Sequence, residues 1–509
     1  MEATTLPARL RQTADRYGDR PALLWQSEAR TYAELDAAVD AGAVSLRRLD
    51  VQPGDRVALV LGNVPAFVEA YYAVLRAGAV AVPLNPGSTE DELQHALSDS
   101  GAVAVVVRAG LRGVVAGLAG ELDALRHIVL VGEPPEGAPE LPRWGELVAE
   151  GRGEAPPEGL AGSDDLAALI YTSGTTGRPR GAMLTHHNLT ANQDQSLAGR
   201  FTIEPDDQVL VVLPLFHIYA LNVGLGASLK VGAAVVLLER FDPAGSLEAI
   251  AEHEVSIILG APPMYVAWLN TPGAGEALGT ARLAVSGAAA LPVQVLERFR
   301  ELVGTTIQEG YGLTEAGPSV TSNAMAEQAR PGSVGLPLPD IELRLVDDEG
   351  RDVRQGDPGE ILVRGPNVFR GYWNDDDATT AALTDDGWLR TGDIGTLDED
   401  GFLFVVDRKK DMIIVSGFNV YPREVERALY RHDGVGEAAV VGVPHPYTGE
   451  AVRAYVVPRP GAALTEDDLI DHCGRFVARY KCPTSVELVD ELPHTATGKI
   501  RRVELREEK

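Results

Sequence analysis

Over the first four-fifths of the chain, short apolar runs alternate with stretches whose apolar residues recur at the helical period. Residues 56–62 read as a strand, 64–77 as an amphipathic helix and 79–82 as a second strand, which is a βαβ unit. Residues 103–107 and 127–131 repeat the strand pattern, and a Pro-, Gly- and acid-rich stretch over 133–162 predicts a surface loop. Further apolar runs follow at 166–170, 208–213, 233–238, 256–259 and 282–285. The expectation is an α/β protein with doubly wound sheets. From about Asp340 the strands shorten and turns multiply (342–346, 360–364), predicting a β-rich subdomain. A second change falls near Asp407. Beyond it, helices over 423–430, 466–480 and 501–507 and strands over 438–443, 451–457 and 485–489 predict a small α+β unit. The division expected is therefore 1–406 and 407–509. No repeat at solenoid periods is present.

The longest apolar stretch, 209–229, is interrupted by Pro214, His217, Asn222, Gly224 and Gly226, so it predicts strand, turn and buried helix rather than a membrane span. The chain has 509 residues and a formal charge of −29, which argues against nucleic acid or anionic lipid as the main partner. Any bound anion needs a local site. The 2 cysteines, Cys473 and Cys482, make neither a disulfide framework nor a Cys-rich metal site. The N-terminus lacks the basic and apolar regions of a signal peptide, so a cytoplasmic protein is expected. Lysine is scarce among the 45 cationic residues: Lys230 is followed only by Lys409, Lys410, Lys481, Lys499 and Lys509. In a chain that prefers Arg, each retained lysine draws attention.

The densest chemistry lies in Tyr171-Thr-Ser-Gly-Thr-Thr-Gly-Arg-Pro-Arg-Gly181. Glycines let backbone N–H groups face an anion, hydroxyls add donors and arginines add charge, so this composition predicts a phosphate cradle. The glycine spacing is not that of a Walker A loop. Further strings follow in order: Leu213-Pro-Leu-Phe-His-Ile-Tyr-Ala-Leu221, Ser286-Gly-Ala-Ala-Ala-Leu-Pro292, Gln308-Glu-Gly-Tyr-Gly-Leu-Thr-Glu-Ala316, Gly387-Trp-Leu-Arg-Thr-Gly-Asp393, the segment from Asp407 to Pro422, and Thr495-Ala-Thr-Gly-Lys-Ile500. Together, and in this order, they resemble the signature motifs of the adenylate-forming superfamily of acyl-CoA synthetases, adenylation domains and luciferases. Two positions depart from the family pattern: Arg180 stands where a lysine is usual, and His494 where many relatives carry arginine.

The resemblance implies an ATP-dependent carboxylic acid:CoA ligase that forms an acyl-adenylate, releases pyrophosphate and transfers the acyl group to CoA. It also implies site residues. Thr172, Ser173, Gly174, Thr175, Thr176, Gly177 and Arg180 would hold the phosphates of ATP. Gly287, Ala288, Ala289, Glu309, Gly310, Tyr311 and Gly312 would line the adenine, Asp393 and Arg408 would take the ribose, and Thr314 would donate to phosphate. Thr172 and Glu315 would hold Mg²⁺. Lys499 would bridge the substrate carboxylate and the α-phosphate, offsetting charge that grows in the transition state. His217 would line the acyl tunnel with Tyr219, Val223, Gly224, Met264, Gly310, Gly312 and Leu313. Lys410 would be the hinge of a domain rotation that brings Ser416, Gly417 and Phe418 to the site for CoA.

Small residues Gly224, Gly226 and Ala227 would leave room for a chain, and residues 216–227 contain no arginine, which favours an apolar monocarboxylate over a dicarboxylate. A medium- or long-chain fatty acid is the leading expectation. The string Phe216-His-Ile-Tyr-Ala-Leu221 also resembles plant-type 4-coumarate ligases, so an aryl acid whose ring hydroxyl meets Tyr219 stays open, as do carrier-protein or amine acceptors and a homodimer. A nicotinamide dehydrogenase is disfavoured because Gly224-Leu-Gly226 lacks the third glycine of the dinucleotide fingerprint.

Overall fold

The computed structural model describes residues 4–134, 140–172, 178–200, 202–495 and 499–507. Two large sheets form the body, as expected of a doubly wound α/β chain. One runs in the order His127–Val131, Ala104–Arg108, Arg56–Val60, Val80–Leu84, Leu166–Thr172, Arg180–Thr185. Its first five strands are parallel, and the last returns antiparallel to its neighbour. The other has nine strands, with a parallel centre that includes Gln208–Val211, Ile257–Gly260, Leu283–Ser286 and Ile307–Gly312. Such centres are buried on both faces, which is why their strands read as unbroken apolar runs.

The helix Pro65–Arg76 shows how the body is packed. It is buried almost throughout, and Arg76 at its end is satisfied by Asp36 (2.7 Å), Asp40 (2.6 Å) and the carbonyl oxygen of Pro7 (3.0 Å). A guanidinium buried this deeply is tolerated because every face of the fork has an acceptor. One apolar cluster extends from Leu6 to Val405, so the β-rich sheet Glu342–Val346, Gly359–Arg364, Leu389–Leu397, Leu403–Arg408 shares the body's core. A separate cluster from Ile413 to Val486 belongs to the C-terminal sheet, which starts at Ile413–Val415.

Three local expectations change. The 133–162 stretch contains the helix Trp144–Gly151; Trp144 is buried and its indole donates to Glu69, so one tertiary contact overrides the loop-forming composition around it. The helix expected over 466–480 stops at Cys473, and a short 3₁₀ turn, Arg479–Lys481, follows. The buried helix expected within 209–229 begins as a π-helix, Tyr219–Ala227. Among the described residues no helix is long and apolar enough to cross a membrane.

Candidate active site

Parallel strands deliver their C-terminal ends to one edge of a sheet, and ligands collect there. Strands Leu283–Ser286 and Ile307–Gly312 are paired with Ser286 opposite Glu309, so the 287–289 loop leaves the sheet beside Gly310–Gly312, which stays paired with the strand Ser319–Ser322. They open into a cleft of about 2760 Å³ that also reaches the first residues of the strand Arg180–Thr185, the Asp393 and Arg408 strands and the C-terminal unit. The glycines are dictated by crowding. A Cβ on Gly312 would lie 2.1 Å from the carbonyl oxygen of Pro318, and one on Gly287 would lie 3.1 Å from the Tyr219 ring. Ala288 has φ +71°, a left-handed conformation for a residue with a side chain.

Of the residues singled out from sequence, the cleft is lined by Thr172, Arg180, His217, Tyr219, Val223, Gly287, Ala288, Ala289, Glu309, Gly310, Tyr311, Gly312, Leu313, Thr314, Glu315, Asp393, Arg408, Lys410 and Lys499. Residues Ser173, Gly174, Thr175, Thr176 and Gly177 lie outside the described residues. Gly224 and Met264 do not line the cleft. The π-helix presents Tyr219, Val223 and Ala227, four residues apart, to the cleft and turns its glycines inward. There a Cβ on Gly224 would be 3.3 Å from Val211, and one on Gly226 would be 2.4 Å from the Gln193 amide nitrogen. These glycines let the helix pack against strand and polar side chains; they do not widen an acyl channel. Met264 is a core residue on the helix Pro262–Leu269. Ser416, Gly417 and Phe418 are also away from the cleft. Ser416 and Gly417 both have positive φ and Phe418 is 58% exposed, which describes a turn on the outer surface of the C-terminal unit.

The polar atoms form a connected arrangement. The Tyr311 hydroxyl donates to Asp393 Oδ2 at 2.6 Å, and the Arg408 Nε lies 3.5 Å from Asp393 Oδ1. Asp393 and Arg408 are opposite each other on antiparallel strands, so the ladder register itself brings this pair together. The Tyr372 hydroxyl donates to Glu315 Oε1 at 2.7 Å, and the backbone N–H of Phe369 donates to the Glu315 carbonyl oxygen at 2.8 Å. Burial and the adjacent Glu315 carboxylate raise the Tyr372 phenol. Arg180 Nε pairs with Asp375 Oδ2 at 2.9 Å, and its guanidinium carbon sits 5.7 Å from the centre of the Tyr372 ring. Sequence reading missed Tyr372 and Asp375. The residues of the 365–375 loop are far from Glu315 and Arg180 along the chain, and only folding juxtaposes them.

Lys499 enters the cleft within electrostatic reach of Arg408, Asp393, Arg423 and Glu315. Burial, then Arg408, push its ammonium down to about 8. Its turn is closed by two bonds to Thr495: Lys499 N–H donates to Oγ1 at 3.0 Å, and Thr495 N–H donates to the Lys499 carbonyl oxygen at 2.8 Å. Burial, helped by Lys499, lowers His217 to about 4, so its ring is neutral at physiological pH. Among the described residues the buried atoms His217 Nε2, Tyr219 OH and Ser286 Oγ have no hydrogen-bond partner. Glu309, buried beneath the loop, accepts from the Leu291 N–H at 3.1 Å, and desolvation pushes it up to about 7. His494, the second departure, lies at the cleft rim, 3.8 Å from Glu437.

This arrangement, a cleft lined by the ends of the body's strands and by the C-terminal unit, is matched by known proteins. The AMP-binding enzyme profile matches residues 10–373, and the AMP-binding enzyme C-terminal domain profile matches 424–499. The chain belongs to the AMP-binding enzyme family. It is 40% identical to a long-chain-fatty-acid–CoA ligase of Yersinia pestis over 97% of this chain and 92% of that one. It is 42% identical to a feruloyl-CoA synthase of Amycolatopsis over 94% of each. The crystal structure of ATP-bound MatB from Rhodopseudomonas palustris superposes with a TM-score of 0.91 at 35% identity, covering 99% of both chains. The protein is an ATP-dependent, AMP-forming acid–CoA ligase, with ATP and CoA as substrates.

Proposed function

We propose that the acid is a medium- or long-chain fatty acid and that the cleft residues divide the work as follows. Asp393 and Arg408 hold the ribose, Tyr311 and the 287–289 loop flank the adenine, and Thr172, Thr314 and Arg180 attend the phosphates. In the first half-reaction a carboxylate oxygen attacks the α-phosphorus and the bond to pyrophosphate breaks. Two anions must meet, so the barrier is largely electrostatic and entropic. Lys499 supplies positive charge where it develops. In the second half-reaction the CoA sulfur attacks the acyl carbonyl and AMP leaves.

Mg²⁺ fits this site. Glu315 offers a hard carboxylate, held at one oxygen by Tyr372, and Thr172 offers a hydroxyl at the same cleft. Among the described residues no cluster of three or more His, Cys, Asp or Glu could hold a metal, so these two groups would share the ion with phosphate oxygens and water, as is usual for this cation. The ion would neutralise phosphate charge.

The observation that carries the fatty-acid reading is the apolar part of the lining: Val223, Ala227, Leu259, Val266, Leu283 and Val285 all line the cleft that His217 lines. An alkyl chain gains from contact with such a wall at roughly 0.8 kcal/mol per buried methylene. One observation favours a second reading. The unpartnered Tyr219 hydroxyl would suit a hydroxylated aryl acid, and the feruloyl-CoA synthase relative supports that alternative. Two free thiols support a reducing, cytoplasmic setting, and a homodimer is our reading of assembly, to be checked by sedimentation. The test of substrate is mass spectrometry of one reaction holding enzyme, Mg²⁺-ATP, CoA and a pool of alkyl and aromatic acids. A CoA thioester of a C8–C18 acid is expected; a hydroxyaryl thioester formed in preference would move the assignment to the second reading.

A further inference from the structure

Asp407 is fully buried near the end of the strand Leu403–Arg408, the last strand of the body. Each of its two oxygens takes one backbone N–H. Oδ1 accepts from the Arg408 N–H at 2.8 Å, on its own strand. Oδ2 accepts at 2.7 Å from the N–H of Arg423, in the first turn of the C-terminal unit's helix Pro422–Leu429. Arg502 Nη1 lies 4.0 Å from Asp407 Oδ1 and 3.6 Å from Asp411 Oδ2. Its Nη2 forks onto Glu426 at 2.8 and 2.9 Å. Arg506 joins from the same helix, 2.9 Å from Asp411. Arg502 opens the helix Arg502–Glu507, three residues after Lys499.

Three carboxylates thus converge on one half-buried guanidinium, and each comes from a different element: the body's last strand, the turn after it, and the C-terminal helix. A buried carboxylate is costly unless such partners remain in place. The arrangement is therefore complete only when the C-terminal unit sits where Lys499 enters the cleft. We infer that Asp407 and Arg502 are a positioning pair that fixes the Lys499 turn against the body for acyl-adenylate formation. Neither residue is required to touch substrate. The inference rests on the reading of Lys499 as the adenylation lysine.

The half-reactions separate these claims. Asp407→Asn removes the charge facing Arg502, and its single amide oxygen accepts from only one of the Arg408 and Arg423 N–H groups, so Arg502→Lys, which leaves both of those bonds in place, is read beside it. ATP–pyrophosphate exchange measures adenylation, and CoA transfer from supplied acyl-adenylate measures the second step. The expected result is exchange kcat reduced about 100-fold, the scale of a displaced catalytic group, with the KM for ATP within about twofold. Transfer from supplied acyl-adenylate is expected to remain near the wild-type rate. Arg502→Lys, which keeps the charge and loses the fork, is expected to give an intermediate loss of exchange and serves if Asp407→Asn does not fold. In a Lys499→Ala background, Asp407→Asn is expected to add no further loss of exchange. Equal losses in both half-reactions, or wild-type exchange in both variants, would overturn the positioning pair. Wild-type exchange by Lys499→Ala itself would instead overturn the reading of the lysine on which it rests.

Discussion

Arg180 is paired with Asp375 through Nε at 2.9 Å, and its guanidinium lies against the face of Tyr372, the residue whose hydroxyl holds Glu315. The departure from lysine at this position is therefore built into the surrounding loop. A planar fork can keep one edge on Asp375 and turn the other toward phosphate, whereas an ammonium offers a single point charge. Arg180→Lys is expected to raise the KM for ATP by about tenfold, or ~1.4 kcal/mol, with a smaller change in kcat. Asp375→Asn should act in the same direction by releasing the guanidinium. Nucleotide titration of both variants checks this, and an unchanged KM in Arg180→Lys would show that the pairing has no part in ATP binding.

Tyr219 tests the choice of acid. Its hydroxyl is buried without a partner among the described residues, and its ring packs 3.1 Å from where a Gly287 Cβ would be. Removing an unpaired hydroxyl costs an alkyl substrate nothing, while a substrate that bonds to it loses about 1–2 kcal/mol, or roughly 5- to 30-fold. Tyr219→Phe is expected to leave kcat/KM for dodecanoate within about twofold and to lower it for a 4-hydroxyaryl acid. The ratio of the two kcat/KM values, variant against wild type, is the measurement; equal losses on both acids would place the hydroxyl outside any substrate contact.

Glu309 predicts a pH-dependent stability. Desolvation pushes its carboxyl up to about 7, opposed by backbone hydrogen bonds from Leu291 and Gly332 and by Arg427 and Arg423 of the C-terminal unit. The folded state thus holds this proton more tightly than the unfolded chain. Its stabilising contribution is full below the unfolded pKa near 4.5 and is lost as pH rises toward about 7. Glu309→Gln keeps an acceptor for the Leu291 N–H and carries no charge. It is expected to melt close to wild type at pH 5 and to gain about 1–3 kcal/mol on it by pH 8. Thermal melts across that range decide it. A difference that does not grow with pH would mean that water or the arginines already satisfy the carboxylate.

The alternation of strands and helices was legible because both large sheets have parallel centres whose strands are plain apolar runs. The residues that would act on ATP were legible because each sits in a short string at a strand end, where backbone geometry alone brings Ser286 beside Glu309 and Asp393 beside Arg408. What could not be read was the direction a side chain faces on an unusual helix. The stretch is apolar or small nearly all round, so its periodicity does not say that Tyr219, Val223 and Ala227 face the cleft while Gly224 and Gly226 face strand and polar side chains. Contacts between distant segments were equally hidden: nothing local to Tyr372 or Asp375 announces Glu315 or Arg180. The Trp144 helix was masked by its own Pro- and Gly-rich flanks.

Lys499 offers the most direct test of the chemistry. Its ammonium is pushed down to about 8 by burial and by Arg408, with Asp393 and Glu315 pulling the other way. If the protonated form is the one that bridges carboxylate and α-phosphate, kcat/KM for adenylation is level below that value and falls about tenfold per pH unit above it, because kcat/KM reports the free enzyme. Bound phosphates favour the ammonium, so the limb in kcat should lie at higher pH. Arg408→Gln removes the like charge that lowers the ammonium most and should move the kcat/KM limb upward, alongside its effect on ribose binding. Lys499→Ala should abolish the limb and cost about 10²–10³-fold in exchange, the scale of one lost oxyanion donor. A limb near pH 8 that survives in Lys499→Ala would belong to another group, and the candidates then narrow to Lys410, whose ammonium is also lowered by burial and Arg408 and which lines the same cleft.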